Sequence, residues 1–179
     1  VEKSDEFLRR TDDPVKAMAS RQGITIENGL LRVKINAKGH LASVFDLRAQ
    51  REVLSGQGNM FHLHQDIPNN YEAWDVDIFY RERSTTVEGL EKLEIAESGP
   101  LCAAARVTRT FGKSRIEQEI VLSAGSPRID FHTELDWNES QKFLNVAFPV
   151  DVYAQKATYE IQFGHLERAN HANTSWDMG

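Results

Sequence analysis

From Ile24 onward, apolar residues recur at every second position, and this period of two persists through most of the chain. Ile24 and Ile26, then Leu31, Val33 and Ile35, alternate with polar partners, the pattern of strands with one buried face. Asn28-Gly29 separates the first two runs and is a strong hairpin signal. Lys38-Gly39-His40 then turns the chain into Leu41–Asp46, leaving no room for a crossover helix and predicting an antiparallel meander. Beyond a Gly-rich loop at 55–59, residues 60–64 and 76–80 alternate again. Residues 90–97, 103–111 and 115–122 read as further strands, punctuated by Gly99-Pro100, Gly112-Lys113 and Gly125-Ser126-Pro127. The cleanest alternation is 128–137, with Ile, Phe, Thr, Leu and Trp on one face and Arg, Asp, His, Glu and Asp on the other. Residues 143–152 and 158–163 complete the series. No long amphipathic helix follows residue 24. So many antiparallel strands divide into two packed sheets, so the expected fold is all-β, a large antiparallel β-sandwich.

Residues 1–23 depart from this pattern. Positions 4–13 are highly charged with few apolar anchors, which suits a connector or the tail of a preceding domain. Asp13-Pro14 followed by Val15 to Ala19 fits the start of a short helix, with Asp13 as N-cap and Pro14 in the first turn. The expected division is a connector over 1–23 and a sandwich domain over 24–179.

Composition narrows the possible partners. The 179 residues are 40% hydrophobic and 27% charged, with a formal net charge of −6. No block of Lys and Arg accumulates, which argues against a nucleic-acid surface. No apolar run approaches the roughly 20 residues of a membrane-spanning helix, so no membrane partner is expected. The single cysteine, Cys102, sits among alanines as a small hydrophobe and has no intrachain disulfide partner. That composition suits a reducing, cytoplasmic setting.

Several clusters carry candidate chemistry. His62, His64 and Asp66 share one face of a predicted strand and form a potential metal set. The plainer reading is a solvated strand face opposite Phe61 and Leu63. Asp75 and Asp77 would stand roughly 7 Å apart on a strand, within the range of about 5 to 9.5 Å used by paired glycosidase carboxyls. Carboxyls on one strand lie along a line, however, whereas that chemistry needs them on opposite sides of a sugar ring. A polar strand face is therefore preferred. Tyr71, Trp74 and Asp75 are better suited to ligand contact, because aromatic faces stack on sugar C–H groups and carboxylates accept hydroxyl hydrogens. A buried structural Trp is the competing reading. His165, Glu167, Arg168, His171, Asn173 and Asp177 crowd a segment without alternation, which reads as a loop, either a contact surface at the rim of the sandwich or a plain solvent-exposed linker.

These segments occur in a recognisable order: Ile26-Glu27-Asn28-Gly29-Leu30-Leu31-Arg32-Val33, then Gly39 to Asp46, Arg51-Glu52-Val53-Leu54 and Gly58-Asn59. Asp66-Ile67-Pro68, Tyr71-Glu72-Ala73-Trp74-Asp75, Phe163-Gly164-His165-Leu166-Glu167-Arg168 and Asn173-Thr174-Ser175-Trp176-Asp177 follow. The ordered set resembles the C-terminal β-sandwich region of family 38 glycoside hydrolases, the α-mannosidases. The resemblance implies a supersandwich of the galactose mutarotase-like kind, truncated at its C-terminal end. It implies that the parent is a retaining α-mannosidase whose zinc and catalytic Asp pair reside in an N-terminal catalytic domain. This fragment would then hold no metal and no catalytic residue. Its partners would be the catalytic domain of the same polypeptide and a mannoside, with a homo-oligomer left open. Tyr71, Trp74, Asp75, His165 and Arg168 are carried over as rim contacts to substrate. The alternatives are an autonomous carbohydrate-binding module and an aldose mutarotase-like enzyme.

Overall fold

In the computed structural model, residues 14–71, 74, 76–171 and 173–174 are described. Two antiparallel sheets form the body. The first runs in chain order through β1 (Lys16–Ser20), β2 (Gly23–Glu27), β3 (Leu31–Asn36), β4 (Leu41–Asp46) and β5 (Arg51–Glu52). The predicted meander is β2 to β4, with Ile24 opposite Ile35 and Ile26 opposite Val33. The second sheet holds β8 (Leu90–Ser98), β9 (Cys102–Phe111), β10 (Ser114–Ser123) and β11 (Ile129–Asp136), ordered β11-β10-β9-β8. Their inner faces share one core: Ile24, Ile26, Val33, Ile35, Leu41 and Val44 meet Ala103, Ala105, Val107, Ile120 and Leu122. Burial of each such Ile or Val contributes about 1.5–3 kcal/mol, and alternation is what delivers them all to one side. The result is the expected antiparallel sandwich, with no α-helix among the described residues.

A smaller sheet, β12-β6-β7, comprises β6 (Met60–Gln65), β7 (Ser84–Thr86) and β12 (Lys142–Ala147). It packs Phe61 and Leu63 against Ile116 and Phe111 in a second cluster. Buried polar groups lie at the junction: Asn59 Nδ2 donates to Gln118 Oε1 at 2.7 Å, and Gln118 Nε2 donates to Thr133 Oγ1 at 2.9 Å. β13 (Lys156–Ile161) and β14 (Gly164–Ala169) form a two-stranded hairpin sheet.

Three local expectations are corrected. The helix expected after Asp13-Pro14 is instead strand β1, paired with β2 from Lys16–Glu27 to Ser20–Gly23. Asp13 itself lies outside the described residues. Val15 is buried and its N–H donates to Pro100 O at 3.1 Å, so sheet pairing and burial override local helix preference. The sheet thus extends upstream of residue 24. The strand expected at 76–80 is a 3-10 helix, Ile78–Glu82, because β12 and β7 already occupy both edges of β6. The loop expected around His165 and Arg168 is strand β14, which β13 holds in register.

Candidate functional site

β6 and β7 are neighbouring strands, and the chain between them makes a long excursion that the sheet holds at both ends. Gln65 N–H donates to Arg83 O at 3.0 Å and Arg83 Nη1 donates to Gln65 Oε1 at 3.1 Å, closing the neck. On the β12 side, Asp66 N–H donates to Gln141 O at 2.9 Å. His64 fixes the 3-10 helix from below: its Nδ1 lies 3.0 Å from Tyr80 O, and its ring meets Tyr80 edge-on with centroids 5.0 Å apart. The solvated face expected for His62, His64 and Asp66 fails at His64, which is buried among Tyr80 and Phe143. A burial site that the 3-10 helix and β12 roof over cannot be read from the alternation of β6 alone.

Within the excursion, Asn69 N–H donates to Asp77 Oδ2 at 2.8 Å and Trp74 N–H donates to Tyr71 O at 2.9 Å. The second bond makes a tight turn that presents both rings outward; Tyr71 is 75% and Trp74 87% exposed. The buried-Trp alternative is thereby removed for Trp74. Asp75 lies outside the described residues, so its pairing with Asp77 has no geometry here. The same excursion holds a cavity of about 190 Å³, lined by Asp66, Ile67, Asp77, Phe79, Tyr80 and Glu82 among others, though by neither Tyr71 nor Trp74. It combines carboxylates, a guanidinium at the Gln65–Arg83 neck and two aromatic rings, a set able to bind a polyol. Phe79, Tyr80, Glu82 and Arg83 were missed in the sequence because 76–80 reads as an ordinary strand. The signal available was the density of aromatic and charged residues over 77–83.

The second region is the β13–β14 hairpin. Residues opposite each other are Ala157 and Arg168, Tyr159 and Leu166, and Glu160 and His165. This register puts Arg168 on the face of Tyr159 and Leu166, and His165 on the opposite face with Glu160 and Glu167. The two sequence candidates therefore do not converge on one ligand. At the hairpin base, a cavity of about 440 Å³ is lined by Tyr153, Gln155, Lys156, Asn170 and His171 among others. It shares no lining residue with the first cavity, so the two are separate candidate surfaces.

Among the described residues, no group of three or more His, Cys, Asp or Glu side chains is placed to hold a metal ion. His62 and His64 have ring centroids 6.3 Å apart and are not joined by a third ligand. The described residues therefore offer no set that fits a zinc site. Among the described residues, no helix is long and apolar enough to cross a membrane.

The family model for the glycosyl hydrolases family 38 C-terminal domain matches residues 26–179. The chain belongs to that family. This family 38 domain is 41% identical over 169 residues to alpha-mannosidase 2C1 of Homo sapiens, a match covering 92% of this chain and 16% of that protein. Its identity to alpha-mannosidase G of Dictyostelium discoideum is 37% over 164 residues, covering 87% of this chain and 15% of the relative. The family 38 domain thus spans about a sixth of the length of the curated relatives it matches. The crystal structure of an alpha-mannosidase from Enterococcus faecalis V583 superposes with a TM-score of 0.72 at 16% identity, covering 92% of this chain and 21% of that one. At that identity the likeness supports the fold alone.

Proposed function

We propose that this chain is the non-catalytic sandwich portion of an α-mannosidase, and that the protein carrying it hydrolyses α-linked mannosides with retention. The observation that carries this reading is the 41% identity to alpha-mannosidase 2C1 along nearly the whole chain. On this reading the zinc ion and the catalytic carboxyls belong to a catalytic domain elsewhere in the polypeptide, and the enzyme works in the cytoplasm. The sandwich supports that domain and contributes to the rim of the sugar cleft. Tyr71 and Trp74 offer exposed rings on which the C–H face of a hexose can stack, while Asp75, His165 and Arg168 supply groups for hydroxyls. Because the hairpin presents His165 and Arg168 on different faces, at most one of them meets a given sugar ring.

Full-length protein should cleave p-nitrophenyl α-mannoside, and the 179-residue chain alone should not. Turnover by the isolated chain, or none by the full-length protein, refutes the proposal. In the full-length protein, Trp74→Ala should raise KM about two- to tenfold with kcat little changed, the factor expected for ~0.5–1.5 kcal/mol of aromatic contact.

The exposure of Tyr71 and Trp74 also favours a second reading, an autonomous carbohydrate-binding module. Isothermal titration of the isolated chain with mannobiose separates the two, since saturable millimolar binding supports the module.

A further inference from the structure

The β13–β14 hairpin is amphipathic and stands as a sheet of two strands. One face carries Ala157, Tyr159, Ile161 and Leu166, apolar from its middle to the tip, with Arg168 at the end away from the turn. The other carries Thr158, Glu160, His165 and the Lys156–Glu167 ion pair, with Nζ 3.4 Å from Oε2. The apolar face is uncovered: Tyr159 is 43% and Leu166 47% exposed. A two-stranded hairpin alone is marginal in water, and its stability normally comes from further strands or from packing on another element.

The tip adds a sharper anomaly. Phe163 occupies the turn with φ at 59°, in the left-handed region, and its side chain is fully exposed. Positive φ disfavours any residue with a Cβ, and such turn positions are normally filled by Gly or Asn. An aromatic ring projected into water adds a second penalty. Strained, exposed aromatics of this kind fit the role of anchors that fill a partner's pocket.

We propose that Phe163 is an aromatic anchor which, with the Tyr159 and Leu166 face, docks the hairpin onto an apolar pocket elsewhere in the same polypeptide, outside residues 1–179. This rests on the reading that the chain is part of a larger α-mannosidase. The occupant follows from chain length. The matched stretch is 16% of alpha-mannosidase 2C1 and 15% of alpha-mannosidase G, so more than four fifths of each relative is other sequence on the same chain. A covalently tethered surface is presented at an effective concentration of about a millimolar, roughly a thousandfold above a second copy at micromolar concentration. The opposite, charged face then remains in water, as is usual for a one-sided antiparallel sheet.

The test uses full-length protein and hydrogen exchange of the amides of Lys156–Ala169. If Phe163 is only a turn residue, Phe163→Gly relieves the positive φ and exchange slows or stays the same, which overturns the proposal. If Phe163 is an anchor, the same substitution speeds exchange about 30-fold, corresponding to the ~2 kcal/mol contributed by a buried aromatic hot spot. Glu160→Gln, on the charged face, serves as the control and should leave exchange unchanged. Photoreactive benzoylphenylalanine in place of Phe163 identifies the occupant. Crosslinks to sequence of the same chain outside 1–179 support the proposal. Crosslinks to a second copy, crosslinks confined to 1–179, or none at all overturn it. The mannoside assay on the same preparation separates the two inferences. An active enzyme without such crosslinks removes the docking and keeps the function, whereas crosslinks in a protein without mannosidase activity do the reverse.

Discussion

Asn28 joins the two sheets of the sandwich, and its replacement has a cost that can be worked from its bonds. The side chain is 2% exposed and bonded on both ends. Nδ2 donates to Ser123 O at 2.7 Å and to Ser126 O at 2.9 Å, in the turn between β10 and β11. Oδ1 accepts the N–H groups of Leu30 at 3.0 Å and Leu31 at 2.8 Å, in its own β2–β3 connection. Asn28→Ala removes all four bonds and strands their partners near the core. At about 1 kcal/mol net per bond, plus a small cavity, the expected loss is ~3–5 kcal/mol. That is a large part of the 5–15 kcal/mol typical of a domain. Asn28→Asp keeps the shape and the two accepted bonds but sets a carboxylate oxygen against two carbonyls. It should be at least as damaging at pH 7, and milder as the pH falls and a protonated carboxyl can donate. Urea unfolding followed by tryptophan fluorescence measures both, since Trp137 packs on Phe111 with ring centroids 6.0 Å apart. The midpoint should fall with little change in m. A loss below about 1 kcal/mol for Asn28→Ala, or a milder effect of Asn28→Asp at neutral pH, would refute this account of the inter-sheet tie.

The remaining predictions concern the buried polar junction and the exposed turn. Gly39 has φ +78° and an added Cβ would lie 2.7 Å from Val107 Cγ1 and 2.8 Å from Arg109 Nη2, so Gly39→Ala should destabilise by about 2 kcal/mol in the same assay. Burial first, and the Arg109 charge second, hold the His40 imidazole below its ordinary value of 6.5. The folded state therefore binds fewer protons than the unfolded chain, so the stability tied to this group is complete above about pH 6.5 and drains away as the pH falls through the depressed value. His40→Gln should flatten that part of the pH–stability curve, and a curve unchanged between pH 7 and 5 would contradict it. Arg109 is itself buried, its Nη2 donating to Lys38 O at 2.6 Å, and Arg109→Met should raise the His40 pKa measured by NMR. Tyr71→Ala and Trp74→Ala, by contrast, should change stability by no more than about 0.5 kcal/mol, because neither ring is packed.

Sequence periodicity alone determined the strands that bury one face against the common core. In β2 and β3 every second residue is apolar and inward, and in β10 Ile116, Ile120 and Leu122 keep that period, so the spacing already states which side these residues take. The ordered motifs likewise pointed to the family, whose model matches residues 26–179 and so spans Asn28-Gly29, Gly58-Asn59 and Trp74. What the spacing could not state was which strand edges were free. β1 looked helical until the open edge of β2 accepted it, and residues 76–80 looked extended until β12 and β7 left β6 no edge to offer. The site divided in the same way. Aromatic and polar residue types marked the Trp74 turn, but local order gives no distance between segments. Only pairing with β13 made 164–169 a strand, whose alternation sets His165 and Arg168 on opposite faces, and only the fold of the 66–83 excursion brought Phe79, Tyr80 and Glu82 around a cavity. The reason is physical: side-chain period follows from the backbone of a single strand, whereas edges, registers and cavities arise from hydrogen bonds and contacts between residues far apart in the chain.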